Sequence, residues 1–311
     1  MKLAMVFLGQ GSQSPGMLAA YGDLPVIREV LAEASDVLGQ DIAKLVADGP
    51  AEELNKTVNT QPVMVTVGYA AYRAWLELGG REPETVAGHS LGEYTALVAA
   101  GAITFAQALP LVRARAQAMQ EAVPAGIGAM AALLGLDDQA VRDACAEAAQ
   151  GEVVEAVNFN SPGQIVIAGH AAAVQRAIVA AKARGAKRAI SLPVSAPFHS
   201  SLMAPAALRL KDVLASVEVV LPRIPVIHNI DAHVHNDVAA IKGALVAQAD
   251  HAVLWTDCIK AMAESGVTHV YECGPGKVLA PQSKRIDARL EGLALADRAG
   301  LDAGLQHFPK T

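Results

Sequence analysis

The sequence feature that most constrains the fold is a serine held between two glycines at the end of an apolar run. Residues 85–92 read TVAGHSLG, in which Gly88 and Gly92 flank Ser90 with the spacing G-x-S-x-G. This spacing is typical of a sharp strand-to-helix turn, where flanking side chains would clash. The residues that follow, LGEYTALVAAGAI, are almost wholly apolar, as in a helix buried within a domain. The pattern therefore predicts an α/β fold with Ser90 after a strand.

Apolar runs with strand and helix patterns alternate on both sides of this serine. LAMVFL at residues 3–8 predicts a buried strand that enters the tight loop GQGSQ at residues 9–13. IPVIHNID and THVYECGPG predict two further strands in the C-terminal third of the chain. The predicted helices outside the middle of the chain cover residues 26–39, 61–78, 202–217, 237–248 and 256–264. Such alternation predicts a parallel sheet covered by helices.

The middle of the chain has a different order of predicted strands and helices. GAMAALLGL, VVEAVNFN, QIVIAGH and AKRAISLPVS read as strands, and DDQAVRDACAEAAQ and AAAVQRAIVAAKARG read as helices. Their order is β-α-β-β-α-β, which is the ferredoxin-like arrangement. We therefore expect a hydrolase-like α/β core made of residues 1–125 and 197–311, with residues 126–196 inserted as a smaller ferredoxin-like subdomain.

Composition and charge exclude several classes of function. The formal net charge of -6 argues against nucleic acid as a partner, because phosphate binding needs clustered Lys and Arg. Gly9 and Gln10 interrupt the apolar start before a signal peptide or a membrane span could form. Three cysteines without metal-type spacing favour reduced structural thiols. We expect a cytoplasmic protein that needs no metal or cofactor and binds neither nucleic acid nor membrane.

A serine hydroxyl becomes a good nucleophile only when a base removes its proton, so one of the nine histidines should reach Ser90. His89 is adjacent in the chain, but its side chain should point away from that of Ser90 on a sharp turn. His233 and His235 form an H-x-H pair without further metal ligands nearby, which favours a polar loop. His199 lies in PVSAPFHSSLM, where the chain re-enters the core, and is the favoured base.

Acyl chemistry at a serine also needs amide donors that stabilise an oxyanion. One donor normally comes from the residue after the nucleophile, which is Leu91 here, and the second comes from another loop. The loop GQGSQ is rich in glycine and follows a strand, so the Gln10 amide is the natural second donor. The alternative for this loop is a plain turn.

Arg115 is the residue that hints at a substrate. In FAQALPLVRARAQAM, it lies at the edge of an apolar helical stripe, whereas Arg113 lies well away from it. The stripe consists of Phe105, Leu109, Val112, Ala116 and Met119. A guanidinium beside an apolar face needs a carboxylate, so an internal salt bridge, a snorkelling side chain and a bound ligand all remain open. Pro110 predicts that the helix begins near that residue.

The motifs together resemble the malonyl-CoA:acyl carrier protein transacylases of bacterial fatty acid synthesis. The resemblance covers nearly the whole chain and rests on GQGSQ, TQPVMVT, GHSLGEYTALVAAGAI, MQEAVPAGIGAMAALLGL, NFNSPGQIVIAG, PVSAPFHSSLM and VYECGPGKVL. It implies the same α/β core with a ferredoxin-like insert. It also implies ping-pong transfer of malonyl from malonyl-CoA to the phosphopantetheine thiol of acyl carrier protein, through a malonyl-serine intermediate.

The resemblance also implies roles for individual residues. The nucleophile is Ser90, the base is His199, the carboxylate-binding residue is Arg115, and the oxyanion donors are Gln10 and Leu91. Gln248, in VAQADHAVLW, matches the residue whose backbone carbonyl orients the histidine in place of a triad acid.

Two further residues are expected to contact the acyl group, and one position departs from the family. Phe198 resembles the malonyl-type pattern of related polyketide acyltransferases, and Met119 lies on the same helical stripe as Arg115. Leu8 stands where the family commonly has proline, which removes no chemical group from the site.

The resemblance implies malonyl-CoA and acyl carrier protein as partners, and we expect a monomer. Three alternatives stay open at this point. The chain could be a discrete acyltransferase of a polyketide synthase or malonate decarboxylase system, a serine esterase or thioesterase that transfers the acyl group to water, or a catalytically silent carrier-binding module.

Overall fold

The computed structural model describes residues 1–194 and 196–310 as an α/β fold with two separate sheets. The strands are β1 (Leu3–Phe7), β2 (Thr85–Gly88), β3 (Gly128–Leu134), β4 (Val154–Ser161), β5 (Gln164–His170), β6 (Arg188–Ser191), β7 (Val226–Ile227), β8 (His269–Cys273) and β9 (Glu291–Leu295). The helices are α1 (Pro25–Leu38), α2 (Ile42–Asp48), α3 (Ala51–Leu54), α4 (Thr57–Glu77), α5 (Gly92–Ala99), α6 (Phe105–Glu121), α7 (Asp138–Ala149), α8 (Ala171–Ala183), α9 (Ala204–Ala215), α10 (Val238–Gln248), α11 (Trp255–Glu264), α12 (Leu279–Ile286) and α13 (Arg298–His307). Short 3-10 turns cover Ala19–Tyr21 and Ser201–Met203.

The larger sheet is parallel throughout, with strand order β7-β2-β1-β8-β9. Every residue of β1, β2 and β8 is buried, as expected when helices cover both faces of a sheet. The carboxyl ends of β1 and β2 lie side by side, with Phe7 paired to Gly88. The loop GQGSQ and the serine turn therefore leave the sheet at the same edge, where α/β proteins bind their ligands.

The smaller sheet is antiparallel, with strand order β4-β5-β3-β6. Its elements follow one another as β-α-β-β-α-β, so the predicted ferredoxin-like arrangement is confirmed. Helices α7 and α8 cover one face with an apolar cluster that includes Val141, Ile165 and Ile178. The opposite face carries a smaller cluster around Met130 and Val157, and this cluster packs against Phe198.

The structure differs from the sequence prediction in several details, and the sequence did not predict α2, α3, α12 and α13. The strand predicted over IPVIHNID is only Val226–Ile227, because His228 and Asn229 turn toward Glu93. Strand β9 was not predicted, since its residues do not form a clearly apolar run. Helix α6 begins at Phe105 and continues through Pro110, because a capping box between Thr104 and Gln107 starts the helix before the proline.

The described residues include no helix with both the length and the apolar character that a membrane crossing requires.

The turn at Ser90 depends on close backbone approaches. Ser90 has φ 52°, in the left-handed region that a serine rarely adopts. A Cβ at Gly88 would lie 1.8 Å from the Gly92 carbonyl carbon, and one at Gly92 would lie 2.1 Å from the Phe7 oxygen. Both approaches are to backbone atoms, so no side-chain rotation relieves them. The two glycines are therefore required by sterics.

We predict that Gly88→Ala lowers the free energy of unfolding by about 3 kcal/mol or more, since overpacking against backbone cannot relax easily. Gly243→Ala is the matched control, because Gly243 lies in α10 and a Cβ there meets nothing within 4 Å. The control should change stability by no more than about 1 kcal/mol, and in the stabilising direction. Urea unfolding measures both values, and similar losses for the two variants would contradict the steric argument.

Candidate active site

Ser90 and His199 face each other although 109 residues separate them in the chain. The Ser90 Oγ lies 2.6 Å from the His199 Nε2, and the His199 Nδ1 lies 2.7 Å from the main-chain oxygen of Gln248. A carbonyl oxygen only accepts, so Nδ1 carries the proton and Nε2 presents its lone pair to the hydroxyl. This tautomer can take the serine proton.

His199 also has an unusual backbone. Its φ is 64°, and four non-glycine residues of the described chain have a positive φ, two of which are Ser90 and His199. Strained backbone of this kind persists only where the surroundings hold it, and it concentrates at functional sites. Both members of the pair are therefore held by the fold in the orientation that brings them together.

The His199 side chain is neutral at neutral pH. Burial is the main cause that lowers its pKa from 6.5 to about 3, and the positive charge of Arg115 lowers it further. The hydrogen bond to the Gln248 carbonyl acts in the opposite direction. A neutral imidazole is the form that accepts a proton, so the pair is in its reactive protonation state over a wide pH range.

Arg115 is buried beside the serine, with 2% of its surface exposed. Its Nη2 donates to the Ser90 Oγ at 3.3 Å and to the Gln248 Oε1 at 3.0 Å, while its Nη1 donates to the Gln61 Oε1 at 2.9 Å. These acceptors are all neutral, and the guanidinium also lies over the Tyr94 ring, 5.4 Å from its centroid.

Arg115 forms no salt bridge with any carboxylate of the described chain. Two of the three alternatives left by the sequence, an internal salt bridge and a snorkelling side chain, are therefore absent. A buried positive charge without a direct counter-ion is a natural binding group for an anion.

Gln61 is a site residue that the sequence analysis missed. Its Oε1 accepts from Arg115, while its Nε2 donates to the Gln10 Oε1 at 3.2 Å and lies 4.0 Å from the Met119 sulfur. It is completely buried in α4, just before the apolar residues of TQPVMVT. A single amide within such a run was the signal available in the sequence, because a buried amide needs partners.

The loop that carries Gln10 packs directly against the serine turn. A Cβ at Gly9 would lie 2.7 Å from the His89 carbonyl oxygen, so only glycine allows this approach. The main-chain amides of Gln10 and Leu91 donate no hydrogen bond within the described chain. Leu91 also immediately precedes α5, whose N-terminal end favours negative charge. The two amides are thus available for an oxyanion.

A cleft of about 790 Å³ opens above Ser90 between the core and the smaller sheet. Met119 and Phe198, the two residues expected to contact an acyl group, both line it. One wall is mostly polar and is formed by Gln10, Gly11, Gln13, Asn55 and Thr57. The other wall is mostly apolar and includes Met130, Asn158, Leu192, Pro193 and Val194. The cleft has room for a ligand with both polar and apolar parts.

The remaining histidines do not approach the Ser90 hydroxyl. His89 Nε2 lies 2.7 Å from the Asn160 Oδ1, and its ring packs edge-on against Trp255, so it connects the core to the smaller sheet. His235 Nε2 lies 3.0 Å from the Asp231 Oδ2 in the partly buried loop that follows β7. Within residues 1–194 and 196–310, no three His, Cys, Asp or Glu side chains are grouped as metal ligands.

Asn229 is a second residue that the sequence analysis missed. Its Oδ1 accepts from the Ser90 amide at 2.7 Å, and its Nδ2 donates to the Gly88 carbonyl at 2.8 Å. One side chain therefore holds the backbone on both sides of the strained turn. Its position at the end of an apolar strand was a weak signal, since many strands end in asparagine.

A serine on a strained strand-to-helix turn, a neutral histidine and a buried cation together define an α/β enzyme that handles acyl groups bearing a negative charge. The model of the acyl transferase domain family matches residues 4–285. The chain belongs to this family, which confirms the resemblance seen in the sequence.

Relatives of known name cover almost the whole chain. Malonyl CoA-acyl carrier protein transacylase of Salmonella typhimurium is 52% identical over 98% of this chain and 99% of its own length. The Bacillus subtilis protein of the same name is 43% identical over 98% of this chain and 96% of its own length.

Solved structures agree in fold. The acyl-carrier-protein S-malonyltransferase of Burkholderia pseudomallei superposes with a TM-score of 0.97 at 63% identity, covering 98% of this chain and 100% of that chain. A malonyl-transacylase in complex with a type II polyketide synthase acyl-carrier protein gives a TM-score of 0.97 at 50% identity, covering 99% of this chain and 100% of that chain.

We predict that Arg115→Gln raises the pKa of His199 from about 3 toward 6.5, because the variant removes a nearby positive charge that disfavours the imidazolium. Arg113→Gln is the matched control, since Arg113 lies on the same helix but bonds to Leu38 and Gln40. NMR titration of the His199 ring measures the effect. An equal response to both substitutions would show that Arg115 does not act on His199 directly.

Proposed function

We propose that this chain transfers malonyl from malonyl-CoA to the phosphopantetheine thiol of an acyl carrier protein, supplying extender units for fatty acid synthesis. The observation that carries the proposal is the buried Arg115 guanidinium, which has no carboxylate partner among the described residues and lies 3.3 Å from the Ser90 Oγ. A malonyl thioester carries a carboxylate two bonds from its reactive carbonyl. One ligand can therefore satisfy the cation and present its thioester to the serine.

In the first half-reaction, His199 Nε2 accepts the proton of Ser90 as the Oγ attacks the thioester carbonyl. The amides of Gln10 and Leu91 stabilise the resulting oxyanion. The C–S bond then breaks, His199 returns its proton to the departing CoA thiolate, and a malonyl ester remains on Ser90. The short Oγ to Nε2 distance and the low pKa of His199 support this assignment.

In the second half-reaction, the thiol of the carrier's phosphopantetheine arm takes the place that CoA has left. His199 accepts the thiol proton, the sulfur attacks the malonyl ester, and the proton returns to Ser90 as the C–O bond breaks. The same base and the same amide donors serve both halves, so the reaction is ping-pong and reversible. No metal or cofactor takes part in these steps.

Arg115 is proposed to select the acyl group. Its guanidinium can bind the free malonyl carboxylate through two parallel hydrogen bonds, which is the strongest geometry for such a pair. An acetyl group has no carboxylate and would leave the buried cation unpaired. Met119 and Phe198 are proposed to contact the acyl chain, in keeping with their position on the cleft wall.

Hydrolysis is the nearest alternative, because an esterase uses the same serine and histidine. Two observations favour transfer to a thiol. The first is the position of Arg115, whose hydrogen bonds to the acyl carboxylate would fix the acyl group and exclude a badly placed water. The second is that His199 is oriented by the Gln248 carbonyl instead of a carboxylate. A silent carrier-binding module would have no need for the strained Ser90 and His199 backbones.

The choice of carrier is part of the proposal. The relatives from Salmonella typhimurium and Bacillus subtilis are named for acyl carrier protein, and one structural relative is bound to a polyketide synthase carrier. We propose the fatty acid carrier as the main partner. Exchange assays with purified carriers of both kinds, or of a malonate decarboxylase, distinguish these pathways.

Three further points belong to the proposal. The division into residues 1–125 with 197–311 and residues 126–196 is supported by separate apolar clusters in the two parts. A cytoplasmic location is supported by three free cysteines, all buried, as is common in reducing compartments. A monomer is supported by exposed large apolar residues that belong to many different elements.

We predict that brief exposure to malonyl-CoA places one malonyl group on Ser90, visible by intact-mass analysis and peptide mapping. Ser90→Ala should show no adduct, because the attacking oxygen is gone. The adduct should persist in buffer and disappear when carrier protein is added, with malonyl appearing on the carrier. Rapid release of free malonate without carrier would instead identify a thioesterase.

We predict that Arg115→Gln lowers kcat/KM for malonyl-CoA by roughly 30-fold or more, since losing one partner of a desolvated charge pair costs about 2–5 kcal/mol. Loading from acetyl-CoA should fall much less, because acetyl makes no use of the cation. Arg113→Gln again serves as the control and should retain wild-type selectivity. Normal malonyl loading by the Arg115 variant would show that Arg115 does not bind the malonyl carboxylate.

A further inference from the structure

Glu93 is a buried carboxylate for which the proposed reaction has no use. It lies in the first turn of α5, three residues after Ser90, and its side chain is completely buried. It is the only charged residue in an otherwise uncharged helix. Burying a carboxylate is costly unless hydrogen bonds and opposite charge compensate for it.

Three donors surround the Glu93 carboxylate. Its Oε1 lies 2.7 Å from the His228 Nδ1, and its Oε2 accepts from the Asn229 amide at 3.0 Å and from the Gln248 Nε2 at 2.9 Å. His228 is itself completely buried and lies at the end of β7. The carboxylate is thus held from three sides and has one orientation.

Gln248 connects this carboxylate to the site. Its Nε2 donates to Glu93 and, at 2.9 Å, to the Ser90 carbonyl, while its Oε1 accepts from the Arg115 Nη2 at 3.0 Å. Glu93 therefore reaches Arg115 through one intervening amide. Because Gln248 is the last residue of α10, its main-chain carbonyl is the group that faces His199.

The hydrogen-bonded series Glu93, Gln248 and Arg115, here called the relay, meets two requirements that a direct ion pair could not meet together. A buried guanidinium is costly unless a negative charge lies nearby, but a carboxylate bound directly to Arg115 would occupy the place of a substrate carboxylate. Burial lowers the pKa of Arg115, and Tyr94 and Glu93 act against that effect. With Gln248 between them, Glu93 supplies charge while the guanidinium keeps its capacity for an anion.

We propose that Glu93 is a positioning residue, which acts through the Gln248 side-chain amide to orient Arg115 toward the acyl carboxylate. The inference rests on the proposed function, because it concerns selection between malonyl and acetyl groups. The same hydrogen bonds hold the Gln248 carbonyl against His199. Loading from malonyl-CoA and from acetyl-CoA therefore both slow when these hydrogen bonds are broken. Selectivity is the property that separates this role from a purely structural one.

The test uses Glu93→Leu, which removes every acceptor, in the full-length protein. We expect the ratio of kcat/KM for malonyl-CoA over acetyl-CoA to fall about tenfold, a coupling typical of one hydrogen-bond network. Glu93→Gln keeps an acceptor for Gln248 but removes the charge, so the ratio should fall less than in Glu93→Leu. If Glu93→Leu does not fold, Glu93→Asp withdraws the carboxylate by one methylene and should lower the ratio in the same direction.

Glu272→Leu is the matched control. Glu272 is also completely buried and accepts from the Val278 and Ala280 amides at 2.9 and 2.8 Å, but it has no contact with Gln248. Loss of this carboxylate should lower stability and leave the selectivity ratio unchanged. Counting malonyl-competent molecules by active-site titration removes the contribution of unfolded protein from both variants.

A double-mutant cycle tests whether Glu93 acts through Gln248. Gln248→Met removes the amide and keeps the main-chain carbonyl. If the relay exists, the selectivity loss of the double variant equals that of the more affected single variant. The inference is overturned if the fold-loss of selectivity in the double variant equals the product of the fold-losses in the two single variants. It is also overturned if the ratio is unchanged in both Glu93→Leu and Glu93→Asp. Absence of any malonyl adduct on the wild-type chain would instead overturn the proposed function.

Discussion

The buried charge of Arg115 is the interaction on which the rest of the site depends. A guanidinium shielded from water needs hydrogen-bond acceptors, and Gln61, Gln248 and the Ser90 hydroxyl supply them without neutralising it. The same charge contributes to the low pKa of His199, which keeps the proposed base neutral. Under the proposed function, recognition of the acyl carboxylate and the neutral state of the base therefore both depend on this charge. They cannot be tuned independently at this position.

Backbone strain is the second constraint, and it is concentrated in the reacting pair. Ser90 and His199 both have left-handed backbone angles, and each is secured by partners distant in the chain. Asn229 holds the serine turn through two hydrogen bonds, and the Gln248 carbonyl holds the imidazole. Such pre-organisation removes motion that the transition state would otherwise have to suppress. The stability of the surrounding α/β core offsets the energy stored in these two residues.

Within residues 1–194 and 196–310, no carboxylate contacts the proposed base, although one usually accompanies a serine–histidine pair. A neutral carbonyl fixes the tautomer but supplies less stabilisation to an imidazolium than a carboxylate would. Here a buried carboxylate, Glu93, contacts Gln248 instead of His199. This arrangement suits the proposed function, because a carboxylate on the imidazole would compete with the acyl carboxylate for Arg115, which lies close to the serine. A neutral carbonyl on His199 is therefore compatible with an arginine that is proposed to bind a carboxylate at the same site.

Much of this architecture could be predicted from the sequence, because its signals are local. The G-x-S-x-G turn, the strand and helix periodicities, and the β-α-β-β-α-β order of the smaller sheet depend on residues close together in the chain, and the structure agrees with them. Periodicity also identified an arginine at the edge of an apolar stripe. It could not decide whether that arginine meets a protein carboxylate, water or a ligand, because the answer depends on α4, α10 and the serine turn meeting in space. Gln61, Asn229 and Glu93 carry ordinary local signals, and their importance comes from partners 51 to 155 residues away. The sequence by itself therefore determined the fold and the chemical groups, whereas only the tertiary structure decided their distances, their burial and their charge environment.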